Sequence, residues 1–169
     1  TPTYNDSSNT LDFSGFATLQ GGTNTDAFNV TSASSFNLAG GAGSDVFDID
    51  ADLTGTVDGE AGSDTLQGLN IDGAPLTGSD GDGFAGTEAS VSGGFDGIGT
   101  LTGNSGTLTG RDTANTSALD GTPTYNDSSN TLDFSGFATL QGGTNTDAFN
   151  LTSASSFNLA AGSNNDTFD

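Results

Sequence analysis

The sequence predicts an all-β chain built as a β-solenoid, a right-handed parallel β-helix with about 19–20 residues in each coil. Three observations lead there. The first is a long repeat: residues 1–48 recur at 122–169, an offset of 121, with 42 of the 48 positions identical. Val30 becomes Leu151, and the other changes fall where GGAGSDVFD (40–48) becomes AGSNNDTFD (161–169). The second is a shorter repeat nested inside: GGTNTDAFNV starts at Gly21, GGAGSDVFDI at Gly40 and GEAGSDTLQG at Gly59, spaced by 19 each time. The third is alternation of period two within short apolar pieces, Phe28-Asn29-Val30, Phe36-Asn37-Leu38 and Phe47-Asp48-Ile49, which is a strand signal. No stretch carries a 3.6-residue period, and the pieces are too short and too rich in glycine for helices.

Each coil in turn reads as a Gly-rich turn, then D-x-[FL], then a second apolar piece. Phe28 and Val30 are followed by Phe36 and Leu38; Phe47 and Ile49 by Leu53 and Val57; Leu66 closes the third turn. One coil alone would leave its strands unpaired and only a narrow apolar stripe to bury, so it is not stable. Stacked coils pair every strand above and below and merge the stripes into one core. Gly and Asn serve the corners, where a positive φ is needed. Residues 67–99 are less regular and read as a looser coil or a protruding loop around Ala74-Pro75 and Gly78–Gly86. From Phe95 the pattern resumes, with TLTG at 100–103 and again at 107–110; against ATLQGGTNTDAF, the turn at 103–106 is shorter and lacks its Asp. The stretch from Arg111 to Asp120 fits least well, with Ala118-Leu119 as its candidate inward piece.

The domain reading is therefore 1–121 as one full repeat of about six coils and 122–169 as the start of the next, a window on a longer polymer-like protein. At ~4.8 Å between strands, six coils span roughly 29 Å. The expected core is Phe13, Leu19, Phe28, Val30, Phe36, Leu38, Phe47, Ile49 and Leu66, with the copies Phe134, Leu140, Phe149, Leu151, Phe157 and Leu159.

Composition removes several function classes. The chain has 22 acidic residues, one basic residue (Arg111) and no histidine, for a formal charge of -21. A nucleic-acid backbone is held by Lys and Arg, so no nucleic-acid partner is expected. Anionic membrane surfaces repel the chain, and no apolar run approaches the ~18 residues of a membrane span. Without Cys or His there is no disulfide, no His/Cys zinc site, and no thiol or imidazole for catalysis.

GGAGSDVFD at 40–48 fits the nonapeptide G-G-x-G-x-D-x-U-x, with Phe47 as the large apolar residue. GEAGSDTLQ (59–67) fits except for Glu60 in the second Gly slot. GGTNTDAFN (21–29) and its copy at 142–150 fit except for Asn in the fourth slot. The chain thus resembles calcium-binding RTX-type repeats. Its wider pattern (GSDTL, TLDFSGF, GFDGIGTLTG) resembles the β-helical repeats of giant bacterial exoproteins and adhesins of filamentous-haemagglutinin type. Here each 19-residue coil holds one such turn rather than a direct tandem of two, so only one edge could carry RTX-like sites. The resemblance implies secretion by a bacterial-type route, an extracellular or cell-surface setting, and a structural fibre or stalk that serves adhesion. The partners it implies are neighbouring repeats of the same protein, with end-to-end or lateral self-assembly.

The candidate site is the acidic column. Stacking at 19 places Asp26, Asp45 and Asp64 in one line, and Asp147 and Asp166 repeat it one period later. Two readings stand side by side. In one, paired turns enclose Ca2+, each giving a carboxylate and backbone carbonyls towards the six to eight oxygens that ion takes, with Gly41 and Gly43 opening the turn. In the other, the Asp side chains accept hydrogen bonds from turn backbone, as Asx-turns do, and no metal is involved. Asp48, Asp50 and Asp52 share an outer strand face, and Asp80-Gly-Asp82-Gly reads as a solvated loop. A polysaccharide-active β-helix enzyme is the remaining class. Paired carboxylates are plentiful, but lyase chemistry wants a basic residue, only Arg111 is available, and a tandem repeat is an odd place for a unique active site. The expectation is no enzyme.

Overall fold

The computed structural model describes residues 2–5 and 8–169. Among them all regular structure is β: twenty-one short strands and no helix. Seventeen strands join one large sheet of mixed pairing, while Thr3–Asn5 with Thr10–Asp12 and Ala42–Gly43 with Ala61–Gly62 form separate two-stranded pairs.

The parallel pairs line up as four ladders of side chains. The first runs Phe28, Phe47, Leu66, Leu101, Phe134. The second runs Leu19, Leu38, Val57, Phe95. The third runs Ala74, Leu108, Leu140, Leu159, and the fourth Ser117, Phe149, Phe168. Near both ends of the chain the rungs are 19 residues apart, as the short repeat requires. In a parallel pair in register, like side chains lie directly above one another. Phe28 accordingly stacks on Phe47 at 5.0 Å and 8°, and Phe149 on Phe168 at 5.2 Å and 11°.

A uniform parallel stack is not what the middle of the chain builds. Residues 67–99, expected as a looser coil or protruding loop, contain Gly73–Ser79, Phe84–Glu88 and the start of Val91–Thr102, which pair antiparallel in succession. Thr124–Asn126 likewise pairs antiparallel with strands on both sides, Asn115–Leu119 and Thr131–Ser135. The reason is local. Asp80-Gly81-Asp82-Gly83 makes a tight reversal, with the Asp80 N–H donating to the Gly83 carbonyl at 3.0 Å. The returning strand alternates Phe84, Gly86 and Glu88 towards the inside. Gly86 is needed there because a Cβ would strike the Phe95 ring.

This meander contributes Ile71, Ala74, Phe84 and Ile98 to the core. Leu53, Ile71, Ala74, Phe84, Ile98, Leu101, Leu119 and Leu132 are fully buried, together with the expected Phe47, Ile49 and Leu66. Val30, Leu38, Phe134, Leu140 and Phe149 are buried as expected. Leu19, Phe28, Phe36, Phe157 and Leu159 are half-buried against the core, and so is Phe13 in its own loop. Leu151 departs from the expectation, with 41% of its surface exposed. Val30 is covered by Ile49 of the next coil, and Leu151 pairs with Leu119.

Candidate functional site

The structure brings Asp26, Asp45 and Asp64 together as a ladder joined by direct bonds. The Asp26 N–H donates to Asp45 Oδ1 at 2.8 Å, and the Asp45 N–H donates to Asp64 Oδ1 at 2.7 Å. The second ladder repeats the motif: the Asp147 N–H donates to Asp166 Oδ1 at 2.9 Å. The carboxylates of Asp45, Asp64 and Asp166 therefore stitch their own coils to the backbone of the preceding one. Asp45, Asp64 and Asp147 are completely buried. The first glycine of each turn makes room for the acid, since a Cβ on Gly21, Gly40, Gly59 or Gly142 would collide with the carboxylate of its own turn.

In three of the turns the second slot has left-handed backbone. Gly41 has φ 100° and Gly162 has φ 97°. Glu60, the residue that breaks the sequence motif, adopts φ 59° and keeps the turn. A left-handed non-glycine residue costs roughly 1–2 kcal/mol. Glu60 recovers part of that cost because its side chain accepts a bond from Gln20 Nε2 at 3.1 Å.

The second carboxylate oxygens differ from the first. Asp26 Oδ2 accepts the Gly22 N–H at 2.6 Å, but Oδ2 of Asp45, Asp64 and Asp147 is buried with no hydrogen-bond partner. A buried, unpaired carboxylate oxygen is costly. Burial raises Asp64 above the ordinary carboxylate range, reinforced by the charges of Asp45, Asp58 and Asp82 and opposed by the Asp45 N–H. Burial likewise pushes Asp147 up to about 6, with Asp166 and Asp112 adding to the shift and the nearby Gly143 N–H and the Asn115 amide opposing it.

The fit to a cation is mixed. Three orphaned oxygens are free acceptors. Yet among the described residues no three acidic side chains converge as a metal cage. The turn carbonyls expected to complete a shell are engaged elsewhere: Gly22 accepts the Ala42 N–H at 2.9 Å and Gly41 the Ala61 N–H at 3.0 Å. Gly43 pairs with Gly62 in the short parallel strands Ala42–Gly43 and Ala61–Gly62.

The two ladders do not join. Asp64 faces Ile98 in register, so the first stops there. The second begins instead with Asn115, whose amide donates to Asp147 Oδ1 and whose strand pairs with Asp147–Leu151 in register. Sequence reading missed Asn115 because it compared the wrong TLTG with the Asp-bearing turn. Setting TLTGRDTAN (107–115) against TLQGGTNTD (139–147), an offset of 32, places Asn115 in the Asp slot and Arg111 in the second Gly slot.

Two further clusters emerge from the fold. Asp58, Glu60, Asp80, Asp82 and Asp96 line a surface hollow of about 310 Å³. Arg111, the single cation, pairs with the buried carboxylate of Asp127 and donates to Ser79 Oγ at 2.7 Å. Its backbone N–H donates to the Tyr125 hydroxyl at 2.9 Å. Burial would raise Asp127, but bonds from Ser79, the Asn130 and Ser129 N–H groups and Arg111 outweigh it and hold the carboxyl down at about 2. Tyr125 is pushed up to about 12, chiefly by burial.

Comparison of the chain with protein-family models, curated proteins and solved structures finds no match.

Proposed function

We propose that this chain is a structural repeat of a long extracellular fibre or stalk, a scaffold for cell-surface adhesion, in which the parallel portions wind as a right-handed β-helix. The observation that carries the reading is that segments 121 residues apart fold alike and are knitted to their neighbours through ladders of like residues. The hairpin of Thr3–Asn5 and Thr10–Asp12 has the same register as the one at Thr124–Asn126 and Thr131–Ser135. Phe13 meets Phe36 at 5.8 Å and 59°, and Phe134 meets Phe157 at 5.8 Å and 60°. A unit that reproduces its own interfaces at a fixed interval suits extension and spacing. Right-handed winding follows from the twist that governs parallel crossovers. The acidic exterior keeps such a fibre soluble and discourages lateral clumping. Arg111 is committed to Asp127, which argues against a lyase base. Electron microscopy of arrays of one, two and four repeats tests the reading: the particle lengthens by a constant increment per repeat, and a rounded particle that does not lengthen refutes it.

The orphaned oxygens of Asp45, Asp64 and Asp147 favour a second reading, an RTX-like module that binds Ca2+ as it folds after secretion. Circular dichroism melts in millimolar calcium and in excess EGTA, at fixed ionic strength with magnesium as control, separate the two. A calcium-dependent melt supports the metal stack. An unchanged melt leaves the aspartates as coil-to-coil stitches.

A further inference from the structure

The two copies of one sequence differ in what covers them. Tyr4, Leu11 and Phe16 expose 60%, 61% and 63% of their surface. Their sequence counterparts Tyr125, Leu132 and Phe137 expose 2%, 0% and 5%. The conformation is not the difference, because the hairpin register and the closing bond are the same: Phe13 N–H to the Pro2 carbonyl, and Phe134 N–H to the Pro123 carbonyl, both 3.1 Å.

The cover over the second copy comes from residues 73–119. Phe84 packs edge-on against Tyr125 at 5.6 Å. Ser117 pairs with Tyr125, and Leu101 with Phe134. The Phe137 ring fills the space beside Gly103, where a Cβ would strike it. Thr107–Thr109 and Asn115–Leu119 complete the sheet alongside Thr139–Gln141 and Asp147–Leu151. In the first copy, among the described residues, Thr18–Gln20 and Ala27–Val30 pair on one side only, with Asn37–Ala39 and Val46–Ile49.

We propose that the face formed by Tyr4, Leu11 and Phe16, with the open edges of Thr18–Gln20 and Ala27–Val30, is a docking surface for residues 73–119 of another copy of this repeat placed in tandem ahead of it. The inference rests on the fibre reading above and names the surface through which it is built. Residues 2–29 and 123–150 are identical, so every contact made by the second copy has a matching group in the first. An apolar face flanked by unpaired strand edges is a strong driver of such pairing.

The chain has two tyrosines, one in each copy, and the repeat contains no other. Nitration by tetranitromethane therefore counts open faces. In the chain as it stands, one tyrosine of two reacts, and a Tyr4→Phe variant loses that reactivity. In a chain carrying a full extra copy of residues 1–121 ahead of Thr1, one of three reacts, because the added segment covers the former Tyr4 while its own tyrosine takes over the open position. Two of three reacting, with unchanged ellipticity per residue, overturns the docking proposal and leaves the fibre reading standing. Reaction of both tyrosines in the original chain overturns the fold-based reading and the proposal together. Protection of Tyr4 in the original chain with a doubled mass in ultracentrifugation overturns the tandem register in favour of exchange between separate chains.

Discussion

The hairpins at Thr3–Asp12 and Thr124–Asp133 carry the same residues in the same register, yet one presents its apolar side chains to water and the other buries them. The same short-range bond accompanies the same local shape in both: Asn5 Nδ2 donates to Thr10 Oγ1 at 3.1 Å, and Asn126 Nδ2 to Thr131 Oγ1 at 2.7 Å. Burial, by contrast, is a property of the neighbour. The pair separates two quantities that sequence reading tends to merge, the propensity to form an element and the free energy gained by packing it.

The sharpest way to break the comparison is to truncate the same residue in each copy. Leu132→Ala empties a fully buried position and should cost about 2–5 kcal/mol in urea unfolding. Leu11→Ala should change stability by no more than about 0.5 kcal/mol. Equal effects would mean that the two faces are equally packed in solution.

The next test removes the clasp on the second hairpin. Arg111→Ala leaves the buried Asp127 carboxylate without its cation and should cost about 2–3 kcal/mol at neutral pH, measured by the same unfolding experiment. Asp127 is held at about 2, below its ordinary 3.8. Its contribution is therefore present above about pH 4 and is lost as pH falls through 2. The variant should make that acid limb shallower without abolishing it, because the bonds from Ser79, Asn130 and Ser129 still favour the charged carboxylate.

The smallest effect concerns the ladder. Asp147 sits at about 6, above its ordinary 3.8. Its protonated form favours the folded state, so that contribution is complete below about pH 4 and lost as pH rises through 6. Asp147→Asn should remove a stability decrease of about 2 kcal/mol between pH 4 and 7, read from midpoints at each pH. A persisting slope would assign the titration to another acid.

The spacing of 19 in the Gly-rich turns made the Phe28–Phe47–Leu66 ladder and the Asp26–Asp45–Asp64 line legible, because a parallel stack converts a sequence offset directly into contact. The middle was not legible in the same way. Phe84, Val91 and Ile98 belong to an antiparallel meander whose pairing depends on a reversal at Asp80–Gly83, and no periodicity announces it. Asn115 was hidden by two TLTG motifs seven residues apart, only one of which leads into an Asp-type turn. The burial of Leu132 against the exposure of Leu11 could not be read from either copy, since the residues that decide it lie in 73–119.

Identical segments also compete for one groove while the chain folds. Residues 100–119 accept 124–151, which reach them across a link of a few residues; the matching stretch that starts at Thr3 could reach the same strands only by closing a loop of about ninety residues. Loop-closure entropy grows as three-halves of RT times the logarithm of loop length, so the distant claimant is handicapped by about 2–3 kcal/mol, or roughly a hundredfold in population. In a tandem array the same arithmetic makes each groove close on the segment that immediately follows it, so correct order along the chain is selected by proximity, although nothing in the competing sequences tells them apart.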